Sequence, residues 1–218
     1  MKFVYPVIHY KDDITTVEQA GIAYKAGADG VFLISHVGND MNLIPLAIEI
    51  KEKYDFKVGI NFLSNPVMFA AEVASQAALD MVWADYCGVS SLGLDDIGEE
   101  LKEFAINNPT VRVYASVAFK YQKVDPNPPL AAKNALEAGF VPVTSGPSTG
   151  YAPNIEKIKS MSENITCLAI ASGMTVENID LFKPYLTHVL VSTGVSVDEY
   201  HFDPERLKIF IEKFKQED

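Results

Sequence analysis

An alternation of a short apolar run and a helical pattern, repeated eight times, restricts the fold of this chain more than any other feature. The runs are rich in Val, Ile, Phe, Tyr and Leu, which is typical of strands buried on both faces. They cover residues 4–9, 30–35, 57–61, 81–85, 111–117, 140–144, 167–171 and 188–191. The helical patterns cover residues 15–26, 41–54, 66–76, 94–107, 129–138, 154–161, 175–184 and 204–215.

This order predicts an α/β fold with a closed sheet. Strands that alternate with helices form parallel sheets through right-handed crossovers. Eight repeats favour a (β/α)8 TIM barrel over an open doubly wound sheet. The first strand and helix also lack the Gly-x-Gly-x-x-Gly turn of a Rossmann-like sheet. With 218 residues and no visible linker, the chain is expected to be a single TIM-barrel domain over residues 1–218.

The net charge and the cysteine content restrict the partners and the cellular compartment that we expect for this protein. A net charge of −11 argues against binding to nucleic acid or to an anionic membrane surface. No apolar stretch approaches the roughly 18 residues that a membrane span needs, so no membrane insertion is expected. Met1 leads directly into Lys2 and an apolar run, which does not resemble a signal peptide. Two cysteines, Cys87 and Cys167, do not make a disulfide framework, and we therefore expect a cytoplasmic protein.

Three residues at predicted strand ends are candidate catalytic groups, because barrel enzymes place their chemistry at the carboxyl ends of the strands. Lys120 follows strand five, where it would neutralise a phosphate, form a Schiff base if desolvated, or simply lie on the surface. Asp85 ends strand four, as a general base with a raised pKa or as a cap for the next loop. His9 ends strand one and is suited to proton transfer near neutral pH.

Other reactive side chains carry weaker signals. A metal site from His9, His36 and Asp85 is conceivable, but no short two-histidine spacing supports it. We therefore predict no metal and no cofactor. Cys87 has no identifiable base nearby and is interpreted as structural. The connection over residues 120–129 contains three prolines and is either a stiff lid or a surface excursion.

Glycine-containing turns after strands six, seven and eight predict a phosphate site. A phosphate in this fold commonly binds between the loops after strands seven and eight, where glycine lets backbone N–H groups approach the oxygens. The alternative is that these glycines only permit tight strand-to-helix turns. The candidate ligand-binding residues in these turns are Ser145, Gly146, Thr149, Gly150, Ser172, Gly173, Ser192, Thr193 and Gly194.

The segments 144–150, 172–178 and 203–206 together resemble the BtpA family, barrel proteins named for a bacterial member associated with photosystem I biogenesis. Two further positions match. Asn61 falls on the asparagine of the family's Gly-Val-Asn, and Lys120 falls on a lysine after strand five. The resemblance implies that both belong to the site. The chain departs from the pattern at Ser35-His36, Ser116 and Tyr121, which indicates a diverged member.

Two classes of function follow from these patterns. The first is an enzyme that binds a small phosphorylated metabolite, sugar-phosphate or nucleotide-like, and isomerises or cleaves it. The second is a non-catalytic assembly or regulatory protein that uses the barrel as an interaction platform. The barrel also looks like the phosphoribosylanthranilate isomerase type, which is an analogy of fold alone. A homodimer is expected, since barrels often self-associate.

Overall fold

Eight parallel strands close into a barrel in the computed structural model, which describes residues 1–216. In chain order, and numbered one to eight hereafter, the barrel strands are Phe3–His9, Gly30–Ile34, Lys57–Asn61, Met81–Ala84, Arg112–Ser116, Val141–Thr144, Ala169–Ala171 and His188–Val191. Each strand pairs with its neighbours in the sequence, and strand one also pairs with strand eight. The predicted closed (β/α)8 barrel is confirmed.

The register of the strands brings their carboxyl ends to one rim. His9 is opposite Ile34, and Ile34 is opposite Asn61, so the first three strands end level with one another. On the other side of the barrel, Thr144 of strand six is opposite Ile170 of strand seven. Polar residues that follow the strands are therefore collected around a single opening, although they are far apart in the sequence.

Aromatic side chains fill the middle of the barrel. Tyr5, Phe32, Trp83 and Tyr114 are almost completely buried and meet edge to face, with ring centroids 5.2 Å apart for Phe32 and Tyr114. Burial of each large apolar side chain stabilises the fold by roughly 1.5–3 kcal/mol. Because these rings occupy the centre, the carboxyl and amino ends of the barrel are separate openings.

The helices cover the outside of the barrel, and several begin at acidic or amide caps. They are Asp13–Lys25, Leu43–Lys53, Val67–Gln76, Asp96–Asn107, Pro128–Glu137, Ile155–Ser162, Ile179–Phe182 and Pro204–Lys215. The first begins at Asp13, two residues before the predicted start, because the Asp12 carboxylate accepts from the Thr15 backbone N–H at 2.7 Å. In residues 1–216, no helix combines the length and the apolar character that crossing a membrane requires.

Two predicted helices are shorter in the structure than in the sequence pattern. The fourth does not include residues 94–95, because Gly93–Leu94 pairs antiparallel with Val89–Ser90 in a small hairpin. The seventh is reduced to Ile179–Phe182 followed by a 3-10 turn, because residues 175–178 form the capping turn that precedes it. Strand pairing at the fourth helix and local capping at the seventh thus override the helical periodicity of the sequence.

Internal hydrogen bonds hold the proline-containing connection after strand five in place. Gln122 accepts from the Phe119 backbone N–H at 3.0 Å and donates to the Ser116 carbonyl at 3.1 Å. Asp125 accepts from the Ser91 backbone N–H of the small hairpin at 2.9 Å. These contacts attach the connection to the barrel and to the small hairpin.

Candidate functional site

A cavity of about 90 Å³ opens at the carboxyl rim, over strands one, five, seven and eight. This volume holds several water molecules, and therefore a group the size of a phosphate. Most of the residues predicted from the sequence lie on its wall: His9, Lys120, Thr149, Ser172, Gly173, Ser192, Thr193 and Gly194. A second hollow of about 350 Å³, whose wall includes Asp85, shares the wall residue Lys120 with this cavity.

Lys120 stands between the two hollows and is held by hydroxyl groups. Its Nζ donates to Thr149 Oγ1 and to Ser172 Oγ, each at 2.9 Å. Desolvation lowers the pKa of Lys120, while the charge of Asp85 raises it. Within residues 1–216, no carboxylate forms an ion pair with this ammonium group. Lys120 therefore presents a cation that is positioned but not neutralised.

The backbone at Ser172 has an unusual conformation for a residue with a side chain. Its φ is +78°, and the following Gly173 also has a φ of +78°. Left-handed backbone at a non-glycine residue costs of order 1–3 kcal/mol and is concentrated at functional sites. Here the turn directs the Ser172 hydroxyl to Lys120, and so joins the loop after strand seven to the loop after strand five.

The glycines of these loops are required by contacts between loops. A Cβ at Gly146 would lie 1.9 Å from the Tyr151 carbonyl oxygen, and one at Gly173 would lie 2.4 Å from the Tyr151 backbone. A Cβ at Gly194 would lie 1.9 Å from the Met174 carbonyl oxygen. The interpretation that these glycines let the backbone approach a phosphate is therefore incomplete. At each of the three positions, the backbone of a neighbouring loop already occupies the space that a Cβ would fill.

His9 lines the cavity from the side of strand one. Burial, reinforced by the neighbouring His36, lowers the pKa of His9 to about 4, so its imidazole is neutral at pH 7. The two imidazole rings have centroids 4.9 Å apart. His9 Nδ1 is buried without a hydrogen-bond partner in the described part of the chain. A neutral ring with an unused nitrogen is suited to proton transfer or to binding a ligand hydroxyl.

Asp85 lies at the rim beside the fully buried Asn61. Desolvation raises the pKa of Asp85 even though its side chain is exposed to solvent, while Lys120 and the Asn61 amide act in the opposite direction. Neither polar atom of Asn61 reaches a partner with full hydrogen-bond geometry in residues 1–216, and the same is true of the buried Ser35 hydroxyl. Buried polar groups without partners are costly, and such groups cluster on this side of the rim.

The other predicted residues lie outside the cavity. Ser145 is fully buried, where its hydroxyl accepts from the Lys120 backbone N–H at 2.8 Å and donates to the Gly146 carbonyl at 2.9 Å. It therefore holds the Lys120 loop rather than a ligand. Gly150 has a φ of +81° in an exposed turn beside Thr149. Asn61 and Asp85 face the rim but do not line the phosphate-sized cavity.

Lys157 is a residue near the site that the sequence did not indicate. Its Nζ donates to the Ala118 carbonyl at 2.6 Å and to the Ser145 carbonyl at 3.0 Å, and desolvation lowers its pKa to about 8. It lies in the first turn of an amphipathic helix, where a lysine ordinarily faces solvent. Its role is visible only in the tertiary structure, where it links the loops after strands five and six next to Lys120.

Metal and thiol chemistry find little support in the geometry. Across residues 1–216, no three His, Cys, Asp or Glu side chains group closely enough to hold a metal ion. Burial raises the pKa of Cys87 to about 12, and its thiol faces the Ala84 carbonyl at 3.6 Å. This thiol is therefore protonated and unreactive at neutral pH.

Comparison with known proteins identifies the architecture. No family model and no curated protein matches the sequence. A phosphoribosylanthranilate isomerase from Thermus thermophilus matches with a TM-score of 0.70 at 15% identity, over 98% of each chain. Another phosphoribosylanthranilate isomerase structure, in complex with reduced 1-(o-carboxyphenylamino)-1-deoxyribulose 5-phosphate, matches with a TM-score of 0.67 at 19% identity, over 99% of each chain.

An aldolase described as acting on 4-hydroxy-2-oxoglutarate and 2-dehydro-3-deoxyphosphogluconate matches with a TM-score of 0.64 at 12% identity. That match covers 97% of this chain and 92% of the aldolase. Identities this low establish a shared barrel and nothing finer. The expected analogy to the phosphoribosylanthranilate isomerase barrel is confirmed, whereas these matches give no support to the BtpA resemblance.

Proposed function

We propose that this protein binds a small phosphorylated sugar or nucleotide-like metabolite at the carboxyl rim and isomerises it. The observation that carries the proposal is the position of Lys120. Its ammonium group is held by Thr149 and Ser172, lacks an ion pair within residues 1–216, and opens into a cavity of about 90 Å³ between strands seven and eight. A phosphate there gains a charge-assisted hydrogen bond without displacing a carboxylate.

The backbone around the cavity complements this cation. Gly173 of the loop after strand seven and residues Ser192–Gly194 after strand eight complete the wall opposite Lys120. Loops after strands seven and eight are the usual phosphate-binding position in this fold. The two matched isomerase structures point the same way, since one of them holds a deoxyribulose 5-phosphate compound.

The rest of the ligand would lie across Lys120, over the hollow that contains Asp85. In an aldose-to-ketose isomerisation, one group moves a proton from C2 to C1 and another moves the hydroxyl proton from O2 to O1. Asp85, whose pKa is raised by desolvation, suits the first role. Neutral His9, with an unused ring nitrogen, suits the second. Both transfers balance without an outside oxidant or reductant.

Calorimetry with ribose 5-phosphate, and with ribose as the uncharged comparison, tests binding. Proton NMR in D2O tests chemistry, since abstraction at C2 replaces the C2 proton of ribose 5-phosphate by deuterium. We expect Asp85→Asn and His9→Gln to abolish exchange while leaving affinity within a few fold. His201→Gln is the matched control, because His201 is only partly buried, is paired with Asp198, and does not line the cavity.

The outcomes separate the two classes of function. No binding of ribose 5-phosphate or of inorganic phosphate at millimolar concentration would reject the site. Tight binding without exchange of ribose 5-phosphate or a panel of nucleotide-like phosphates would favour the non-catalytic platform. Sedimentation velocity tests the expected homodimer independently.

A further inference from the structure

A second opening lies at the opposite, amino end of the barrel, with a cavity of about 800 Å³. Five aromatic side chains and one arginine line much of its wall: Phe3, Tyr5, Tyr54, Phe56, Tyr114 and Arg112. Phe3 and Arg112 are the first residues of barrel strands one and five, so they mark the amino rim. The rings that fill the middle of the barrel separate this opening from the cavity at Lys120.

Two fully buried polar atoms at this end, the Tyr114 hydroxyl and His188 Nε2, reach no partner with full hydrogen-bond geometry in residues 1–216. The Tyr114 hydroxyl nevertheless lies beside the Tyr5 hydroxyl and interacts with it. Tyr114 is 0% exposed and lines the cavity, and His188 is 3% exposed and stacks on the wall residue Phe3 with ring centroids 4.8 Å apart. The other ring nitrogen, His188 Nδ1, contacts Thr187 Oγ1 at 2.8 Å. Both atoms are enclosed by protein, so the wall that a ligand meets at this end consists of the aromatic rings and the charged side chains of the rim.

Arg112 supplies a free positive charge over the same opening. No ion pair joins it to an acid within the described residues, and its charge acts on the ionisation of Tyr5, Tyr114 and His188. Lys51 and Lys57 on the same wall are instead both paired with Asp80, at 2.8 and 2.9 Å.

The acids that line this opening do not form an ion pair with Arg112 in the described residues, and two of the three are already paired with lysines. Asp80 also accepts from the Val58 backbone N–H at 3.0 Å. Asp29 is paired with Lys215 at 2.9 Å and accepts from the Val4 backbone N–H at 2.7 Å. The third acid, Asp55, lies in an exposed turn and forms no ion pair within residues 1–216. Arg112 therefore remains available to an incoming anion.

We infer that the amino-end opening is a second ligand site, specific for a small planar organic anion such as an aromatic carboxylate. A guanidinium binds a carboxylate through two parallel hydrogen bonds, and Arg112 is placed to do so at the rim. The ring of such a ligand packs against the aromatic walls, which favour flat groups. This site is independent of the function proposed for the carboxyl rim.

Calorimetry with three probes tests the inference on the intact protein. Benzoate carries both the ring and the charge, cyclohexanecarboxylate carries the charge on a ring that is not flat, and inorganic phosphate carries charge alone. We expect benzoate to bind more tightly than cyclohexanecarboxylate. Saturation of the carboxyl rim with phosphate should leave benzoate affinity unchanged.

Three variants locate the binding. Arg112→Met should weaken benzoate about tenfold or more, since a hydrogen bond to a charged group contributes about 1.5–3 kcal/mol. Lys57→Met is the matched control, because it removes a cation from the same rim that is already paired, and should change affinity less than about twofold. Lys120→Met at the other end should have no effect. Equal losses in Arg112→Met and Lys57→Met, or no benzoate binding at millimolar concentration, would overturn the inference.

Discussion

Ser35 and Ser145 form a matched pair that tests whether the carboxyl rim holds unsatisfied polar groups. Both are 0% exposed, and they directly follow barrel strands two and six. The Ser35 hydroxyl has no partner in residues 1–216, whereas Ser145 accepts from Lys120 N–H at 2.8 Å and donates to the Gly146 carbonyl at 2.9 Å. The same substitution to alanine should therefore have opposite effects at the two positions.

The magnitudes follow from desolvation. Burial of a hydroxyl without a partner costs about 1–3 kcal/mol, so Ser35→Ala should raise the free energy of unfolding by about 1 kcal/mol. Ser145→Ala removes two hydrogen bonds and leaves the Lys120 N–H unsatisfied, so it should lower that free energy by about 1–3 kcal/mol. For a domain of this size, 1 kcal/mol corresponds to roughly 2–4 °C in Tm.

Urea denaturation followed by tryptophan fluorescence and circular dichroism measures both variants. An unchanged slope with a shifted midpoint identifies a change in stability rather than in the unfolded state. If both variants lose stability equally, the Ser35 hydroxyl already has a partner such as a bound water, and the reasoning about unfilled polar groups is refuted.

Three further predictions concern charge, backbone and pH. Lys120→Met should weaken ribose 5-phosphate roughly 10–100-fold by calorimetry, and an equal loss in the control Lys25→Met, at an exposed position on the first helix, would indicate only general attraction. Gly173→Ala should destabilise the fold more than Gly139→Ala in urea, because both have positive φ but only Gly173 meets neighbouring backbone at 2.4 Å. Burial lowers the pKa of His188 to about 4, so the neutral folded state should lose stability between about pH 6.5 and 4 as the unfolded chain takes up a proton. Urea midpoints of His188→Gln should fall less over that range, and equal pH dependence would contradict this.

Local pattern determined the architecture of this protein and the general position of its site. Strand and helix periodicity depends on residues a few positions apart, and eight repeats leave few topologies that bury every strand on both faces. The carboxyl-end rule then predicts that His9, Lys120 and Ser172 share one rim, and all three line the same cavity. These predictions needed no knowledge of which distant side chains touch.

Contacts between loops that are far apart in the chain were decided only by the tertiary structure. The pattern could not show that Lys120 is held by Thr149 and Ser172, or that Gly146 and Gly173 admit the Tyr151 backbone. Nor could it show the hairpin over residues 89–94 or the amino-end opening. Periodicity reports which face of an element is buried, whereas hydrogen bonding, ionisation and close approach depend on the partner that closure of the barrel brings near.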